Sequence, residues 1–361
     1  MKGRIRMNPA NNRKNEHVSL AMKFSQEPSP SDFDALHYVH HSFPQMAVKD
    51  ADCSTSFADF QMEFPFYINA MTGGSEWTKK INHKLALVAR ETGIAMASGS
   101  VSAALKDATV ADSFTVIREV NPSGLVFANL STGQTVENAK RAIDLLQADA
   151  LQLHINAPQE LIMPEGDRDF TNWLTQLSRI TAAVDVPVIA KEVGFGMSRE
   201  TIDLLLTAGA KTIDISGTGG TNFAKIENYR RKSNKMDYLE DWGQSTVISL
   251  LEAQPYISSV DLLASGGIRH PLDIIKALSL GSKSVGISGL LLHLIIKEGV
   301  DETIHQVNDW KENLKTIMTL LGKTSLQDLQ QTDLILTGNV KDWCQARGID
   351  SGYFASRSTR V

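Results

Sequence analysis

The chain is predicted to be an α/β protein, a TIM or (β/α)8 barrel with an N-terminal arm and a C-terminal helical extension. Three observations carry that expectation. Eight short apolar runs alternate with helical segments, the rhythm of parallel βαβ units closing on themselves. Most of the runs end in turns rich in glycine or small polar residues. The stretch Asp261 to Leu290 reads strand, glycine turn, helix, strand, glycine turn, which builds a phosphate site after the seventh and eighth strands of such barrels.

The strands follow in order. Phe64 to Ala70 is the first and stops at Met71-Thr72-Gly73-Gly74; Ile94 to Ser98 is the second and stops at Gly99-Ser100. Leu125 to Leu130 is the third, with Asn129 near its end, and Ala150 to Asn156 is the fourth. Pro187 to Val193 is the fifth and carries Lys191; Lys211 to Ser216 is the sixth and closes in Gly217 to Thr221. Asp261 to Ser265 and Ser284 to Ile287 complete the set, ending at Gly266-Gly267 and Ser288-Gly289. Helices are read over Ile81 to Glu91, Val136 to Gln147, Trp173 to Val184, Glu200 to Ala208 and Pro271 to Leu280, the last with its proline early, where a helix tolerates it. Residues 1–60, polar and irregular with Pro28 and Pro30, are expected to lie as an arm over a barrel of residues 61–300. Residues 301–361 read as helices (Val300 to Leu321, Leu326 to Thr332, Val340 to Arg347) and a loose tail from Ser351.

Composition narrows the function. Of 361 residues, 42% are hydrophobic and 21% charged, enough for a full core and unlike a disordered chain. A net charge of −5 does not favour nucleic acid or an anionic membrane, so an anionic ligand must be held by local cations and amides. Cys53 and Cys344 have no metal-type spacing, and a disulfide between them has no support, so a reducing cytoplasm is the simpler setting. The basic N-terminus lacks the apolar segment of a signal peptide. Leu290 to Ile296, the most apolar stretch, is too short to span a bilayer, and a soluble intracellular protein is expected.

In a barrel the active site gathers at the C-terminal ends of the strands. Those ends offer Thr72, Ser100, Asn129, His154, Asn156, Gln159, Glu160, Lys191, Ser216 and Thr221, with phosphate turns at Gly266, Gly267, Arg269, Ser288 and Gly289. Most of these groups form hydrogen bonds and few are acids or bases, which suits the edge of a planar heteroaromatic cofactor. Lys191 fits three roles: an ion-paired structural residue, a Schiff-base nucleophile, or the positive charge beside the N1–C2=O edge of a flavin. Beside the phosphate turn, the last points to flavin mononucleotide. Glu160 is either a capping or surface carboxylate or a magnesium ligand completed by substrate phosphates and water. His154, on a strand, reads as a core histidine or a catalyst. Arg13-Lys14-Asn15-Glu16-His17 reads equally as a solvated helix start.

Taken in order, Arg13 to His17, Ala70 to Gly74, Gly99-Ser100, Leu153 to Asn156 with Gln159-Glu160, Lys191 to Gly194, Gly217 to Asn222 and Ser265 to Arg269 resemble the flavin-dependent, type 2 isopentenyl-diphosphate delta-isomerases over most of the chain. The resemblance implies a 1,3-proton transfer interconverting isopentenyl and dimethylallyl diphosphate. Reduced FMN would be the acid–base agent, NADPH its reductant and Mg²⁺ the partner of the diphosphate. It further implies that Ala70, Met71, Thr72, Ser100, Asn129, Lys191, Ser216 and Thr221 hold the flavin ring and ribityl chain, and Gly266, Gly267, Arg269, Ser288 and Gly289 its phosphate. Arg13, Lys14, His17, Ser100, Ser102, His154, Asn156 and Gln159 would bind substrate, with Gln159 and His154 catalytic and Glu160 on the metal. Ser102 departs from the pattern, because many members carry a cation there. The family also implies a homo-oligomer, a tetramer or larger.

Two other readings use the same scaffold. A flavin-dependent dehydrogenase or oxidase of a small hydroxy acid needs a base near the phosphate turns, where His270 is the one candidate; a nucleotide dehydrogenase would need a cysteine after the sixth strand, which Gly217 to Thr221 lacks. A non-catalytic flavin-binding protein would explain the turns but not the basic arm or Gln159-Glu160.

Overall fold

The computed structural model of the chain describes residues 9–24 and 31–359; Pro28 and Pro30 lie outside them. Eight parallel strands close a barrel: β1 (Phe66–Ile68), β2 (Met96–Ser100), β3 (Val126–Ser131), β4 (Ala150–Ile155), β5 (Val188–Glu192), β6 (Thr212–Asp214), β7 (Asp261–Ser265) and β8 (Ser284–Ile287). Each overlaps a predicted run. Every strand pairs with its successor, and β8 returns to β1 through Ile287 and Ile68. The crossover helices start at side-chain caps: Ser75, Thr135, Ser198 and Ser245 each accept a hydrogen bond from the first turn of the helix that follows.

The barrel interior changes character along its axis. Its lower part is an apolar plug of Tyr67, Ala95, Ala97, Phe127, Ala150, Ile189 and Leu263. A hairpin of strands Thr55–Phe57 and Phe60–Met62 seals it, with Phe57 and Phe60 packed 6.3 and 5.8 Å from the Phe127 ring. Above the plug the inward positions turn polar: Asn69, Asn129, Gln152, Lys191, Asp214 and Ser265 are all buried. Burying such groups is costly unless each is paired, so this layer must be a connected hydrogen-bond network.

Three expectations need correction. Residues 1–60 are not irregular throughout, for Pro9–Phe24 forms helix α1, and Leu36–Tyr38 pairs antiparallel with Leu334–Leu336. Helix α1 meets polar partners at Glu227 and Ser75, and among its described side chains Val18 is buried. Nor is the tail loose. Ser351–Ala355 is helical, and the buried Arg357 guanidinium donates to the carbonyls of Thr332 and Ser279 at 2.6 and 2.8 Å. The helix read as Leu326 to Thr332 stops at Leu329, where Leu334–Leu336 becomes a strand. Cys53 and Cys344 are both buried and free, so no disulfide joins them. Among the described residues no helix is long and apolar enough to cross a membrane.

Candidate active site at the barrel mouth

The turns after β1 and β2 meet at their backbones. Gly99 N–H donates to Thr72 O at 3.1 Å, and a Cβ on Gly99 would lie 2.6 Å from that residue's main chain. The turns after β6 and β7 meet likewise: a Cβ on Gly220 would lie 2.9 Å from Gly267 N, and one on Gly266 2.1 Å from Gly217 O, with φ +93° there. Only glycines allow two main chains to pack this closely and present their N–H groups to one space. The third edge is the N-terminus of helix Gly289–Lys297, begun by Ser288, which makes no side-chain cap bond. A Cβ on Gly289 would lie 3.1 Å from Thr221 Oγ1, so Thr221 belongs to the same corner.

Lys191 and Asp214 are register partners on β5 and β6, and Lys191 Nζ lies 3.3 Å from Asp214 Oδ2. The same ammonium donates to Glu192 O at 2.7 Å and Ser265 Oγ at 3.4 Å. Ser216 N–H donates to the other Asp214 oxygen at 3.2 Å. Glu192 itself turns away from the barrel axis and accepts three successive N–H groups, of Val193, Gly194 and Phe195. Its side chain shapes the turn after β5. Lys191 is therefore an ion-paired residue, held by Asp214.

Helix α1 lies over the opening. His17 Nε2 stands 2.9 Å from Glu227 Oε1, and Asn15 accepts from Ser75 Oγ at 2.7 Å. Lys14 lies over Gly74, its Cγ 3.6 Å from where a Cβ there would be, and burial, reinforced by Arg13, lowers its pKa to about 8. Arg13 lies 3.7 Å from Glu165, and its Nε is buried. The expected basic arm is thus a helix with Arg13, Lys14 and His17 at the mouth.

Opposite it, Gln159 is buried, donating to Glu227 Oε1 at 3.0 Å and accepting from Asn156 Nδ2 at 3.1 Å. Asn156 Nδ2 also donates to Glu160 Oε1 at 3.0 Å, and Glu160 Oε2 accepts from Asp167 N at 2.9 Å. Burial alone would raise the Glu227 pKa, but the His17 ring 2.9 Å away and hydrogen bonds from Gln159 and Arg230 outweigh it and hold the group at about 2. Arg230, 2.5 Å away, carries a permanent charge in this cluster, and burial lowers the His17 pKa from its ordinary value. His154 is neutral: burial, then the charges of Lys14 and Lys191, bring its pKa to about 3. Ser100 and Ser102 share a hydrogen bond of 3.0 Å at the rim.

Arg269, expected as a planar charged fork at the phosphate turns, is held by two carboxylates. Its Nε and Nη2 face Asp273, and Nη1 and Nη2 face Asp34 at 2.9 and 2.6 Å. It ties the strap before Leu36 to the barrel. His270 is half-exposed at the start of helix Pro271–Ser279, 3.8 Å from Asp273. Sequence reasoning missed Glu227, Asp214, Asn69 and Gln152. A signal existed for two of them: Gln152 alternates with His154, and Asp214 with Ser216, as polar residues inside otherwise apolar strands. Glu227, on helix Phe223–Arg230, has no comparable mark.

The residues fit a flavin mononucleotide. Thr72 Oγ1 is buried without a hydrogen-bond partner, the glycine turns form a cradle that any Cβ would fill, and Lys191 supplies a fixed charge beside them. For a divalent cation, no cluster of three or more His, Cys, Asp or Glu exists among the described residues. Glu160 offers one hard carboxylate, which suits Mg²⁺ held jointly with phosphate oxygens.

Comparison with known proteins agrees with this geometry. Residues 126–336 match the family model described as FMN-dependent dehydrogenase. The fold resembles the flavin-binding domain of baker's yeast flavocytochrome b2 (TM-score 0.62, 17% identity, 82% of this chain and 75% of that one) and a mandelate oxidase (TM-score 0.63, 16% identity, 89% and 92%). Much nearer in sequence are isopentenyl-diphosphate delta-isomerases: that of Latilactobacillus sakei is 52% identical over 335 residues, 93% of this chain and 96% of the relative. That of Staphylococcus saprophyticus is 49% identical over 343 residues, 95% and 99%. The chain carries the FMN-dependent dehydrogenase domain and belongs to the isopentenyl-diphosphate delta-isomerase family.

Proposed function

We propose that the protein interconverts isopentenyl and dimethylallyl diphosphate by a 1,3-proton transfer, with FMN as its resident cofactor. The observation that carries this reading is the mouth itself: Arg13, Lys14 and His17 on one helix face a buried carboxamide, Gln159, across Glu227. A cationic edge for a diphosphate thus stands beside a wall of hydrogen-bonded carboxamides. The names of the near relatives support the same reading. The dehydrogenase alternative rests on fold alone.

Reduced FMN supplies the acid–base chemistry when bound, with NADPH as the reductant. Ala70, Met71, Thr72, Ser100, Asn129, Lys191, Ser216 and Thr221 hold its ring and ribityl chain. The Lys191 charge favours the anionic edge of a reduced ring. Backbone N–H groups at Gly266, Gly267, Ser288 and Gly289 hold its phosphate, with Arg269 adding positive potential at that edge. Arg13, Lys14, His154 and Asn156 bind the diphosphate, together with Ser100 and Ser102, and Glu160 meets it through Mg²⁺. Gln159 orients the hydrocarbon and Glu227 fixes Gln159. Arm, barrel and C-terminal helices (1–60, 61–300, 301–361) serve substrate capture, cofactor binding and assembly of a cytoplasmic homo-oligomer, a tetramer or larger.

An anaerobic assay with FMN, NADPH, Mg²⁺ and isopentenyl diphosphate tests the reading by following dimethylallyl diphosphate, with each component omitted in turn. Turnover that requires reduced flavin without stoichiometric loss of NADPH is expected. Flavin binding with no product under any of these conditions overturns it.

A further inference from the structure

The polar layer inside the barrel is one directed chain. Asp214 Oδ2 accepts from Asn69 Nδ2 at 3.0 Å; Asn69 Oδ1 accepts from Gln152 Nε2 at 3.0 Å; Gln152 Oε1 accepts from Asn129 Nδ2 at 3.0 Å; Asn129 Oδ1 lies 2.9 Å from His154 Nδ1. A carboxamide can be turned either way, so its direction must come from a neighbour with no choice. Here there are two such neighbours at the same end. The Asp214 carboxylate accepts only, taking Asn69 together with Tyr67 at 3.3 Å and Ser265 at 2.7 Å. The backbone N–H of Ala70 donates only, and reaches Asn69 Oδ1 at 2.8 Å. Asn69 is therefore fixed from both sides, and each amide then fixes the next. Gly286 is part of the device, since a Cβ there would lie 2.3 Å from Asn69 Nδ2.

We propose that Asp214, through Asn69, Gln152 and Asn129, sets the tautomer of His154, holding the proton on Nδ1 and leaving Nε2 as the basic atom. These four are positioning residues. Because Asp214 also faces Lys191 at 3.3 Å, one buried carboxylate fixes the lysine's ammonium and, four side chains away, the histidine's tautomer. The consequence for binding rests on the isomerase reading: an anionic diphosphate oxygen can be met by Nε2 only after that atom has taken up a proton, because Nδ1–H is already committed to Asn129.

The tautomer is read from ¹⁵N spectra of histidine-labelled full-length protein without flavin or substrate, with the His154 signal assigned by its disappearance in His154→Gln. This readout is independent of whether the enzyme isomerises anything. The expected result is a pyrrole-type Nδ1 and a pyridine-type Nε2 in the native protein. A pyridine-type Nδ1 overturns the proposal without any further variant. Gln152→Leu, which frees Asn129 to turn its Nδ2 towards the ring, is expected to shift Nε2 towards the pyrrole-type position. Gln152→Glu, which still accepts from Asn129, is expected to restore the native signal. An unchanged His154 spectrum in a folded Gln152→Leu protein, judged by native-like circular dichroism, also overturns it.

Discussion

Gln159 and Glu227 are joined side chain to side chain, Nε2 to Oε1 at 3.0 Å, across 68 residues of sequence. The same Glu227 oxygen faces His17 of helix α1 at 2.9 Å, and the other faces Arg230 at 2.5 Å. One buried carboxylate therefore holds the lid helix, the carboxamide wall and a guanidinium in register.

Replacing Glu227 with Gln leaves Arg230 partly unpaired and gives His17 an amide in place of a charge. Removing one partner of a buried pair costs about 3–5 kcal/mol. If even half of that falls on the mouth, kcat/KM drops by at least about tenfold, at 1.36 kcal/mol per decade. Steady-state kinetics and a melting curve on the same preparation measure both shares. The pH dependence has a definite sign. The folded pKa of about 2 lies below the ordinary 4.5, so this stabilisation is complete above about pH 4.5 and is lost as pH falls towards 2. The Gln variant should lose that acid-limb slope.

Lys14 gives the opposite window. Its folded pKa of about 8 lies below the free value of 10.5, so the fold is penalised while the lysine is charged in both states, below about pH 8. The penalty is relieved between pH 8 and 10.5, and stability from this residue rises across that range. Binding a diphosphate runs against it, because the anion needs the ammonium. Affinity for inorganic pyrophosphate should weaken above pH 8, by up to about tenfold per pH unit for one coupled proton. Lys14→Gln should flatten that limb and weaken binding at pH 7. A titration by calorimetry in two buffers of different ionisation enthalpy would also count the proton taken up.

How far the sequence reveals this molecule depends on what each residue answers to. The eight strands are legible because burial on both faces forces apolar runs, and glycine turns must close them. Strand-end positions such as Lys191 and Asn129 follow from barrel geometry alone. An arm over the mouth carrying Arg13, Lys14 and His17 was expected from the family resemblance, but its anchoring through Glu227 and Ser75, distant in sequence, has no local signal. Arg269 was legible as a cation near the phosphate turns, but its donation to Asp34 depends on a strap that reads as coil. Asp214 shows only as a polar residue in an apolar strand, and nothing local says that it anchors a chain of amides.

The contact between the two glycine turns predicts a variant that separates cofactor binding from folding. Gly220 does not have a positive φ, so Ala is tolerated by its own backbone, but the new Cβ would stand 2.9 Å from Gly267 N and 3.2 Å from Gly266 Cα. The β7 turn must move by a few tenths of an ångström. Gly220→Ala should fold with a melting temperature within a few degrees of native while FMN affinity falls at least about tenfold, the size of one lost hydrogen bond to a charged group. Flavin fluorescence titration measures the affinity; unchanged binding would mean that this turn does not hold the phosphate.

Arg269 allows its two roles to be separated, because Asp34 is exposed and Asp273 is not. Asp34→Ala removes a partner that is 63% exposed, and an exposed ion pair contributes at most about 1 kcal/mol, so stability should hardly change. Arg269→Ala instead strips the buried Asp273 of its guanidinium, leaving it the Arg269 backbone N–H at 3.1 Å, and should cost about 1–3 kcal/mol of stability. For the cofactor, the guanidinium adds potential while the backbone N–H groups of the turns remain in place. FMN affinity should therefore fall less in Arg269→Ala than in Gly220→Ala. The reverse order, with Arg269→Ala the worse flavin binder, would mean that the guanidinium leaves Asp34 to grip the phosphate directly. Asp34→Ala would then bind FMN more tightly than the native protein, since the competing carboxylate is gone.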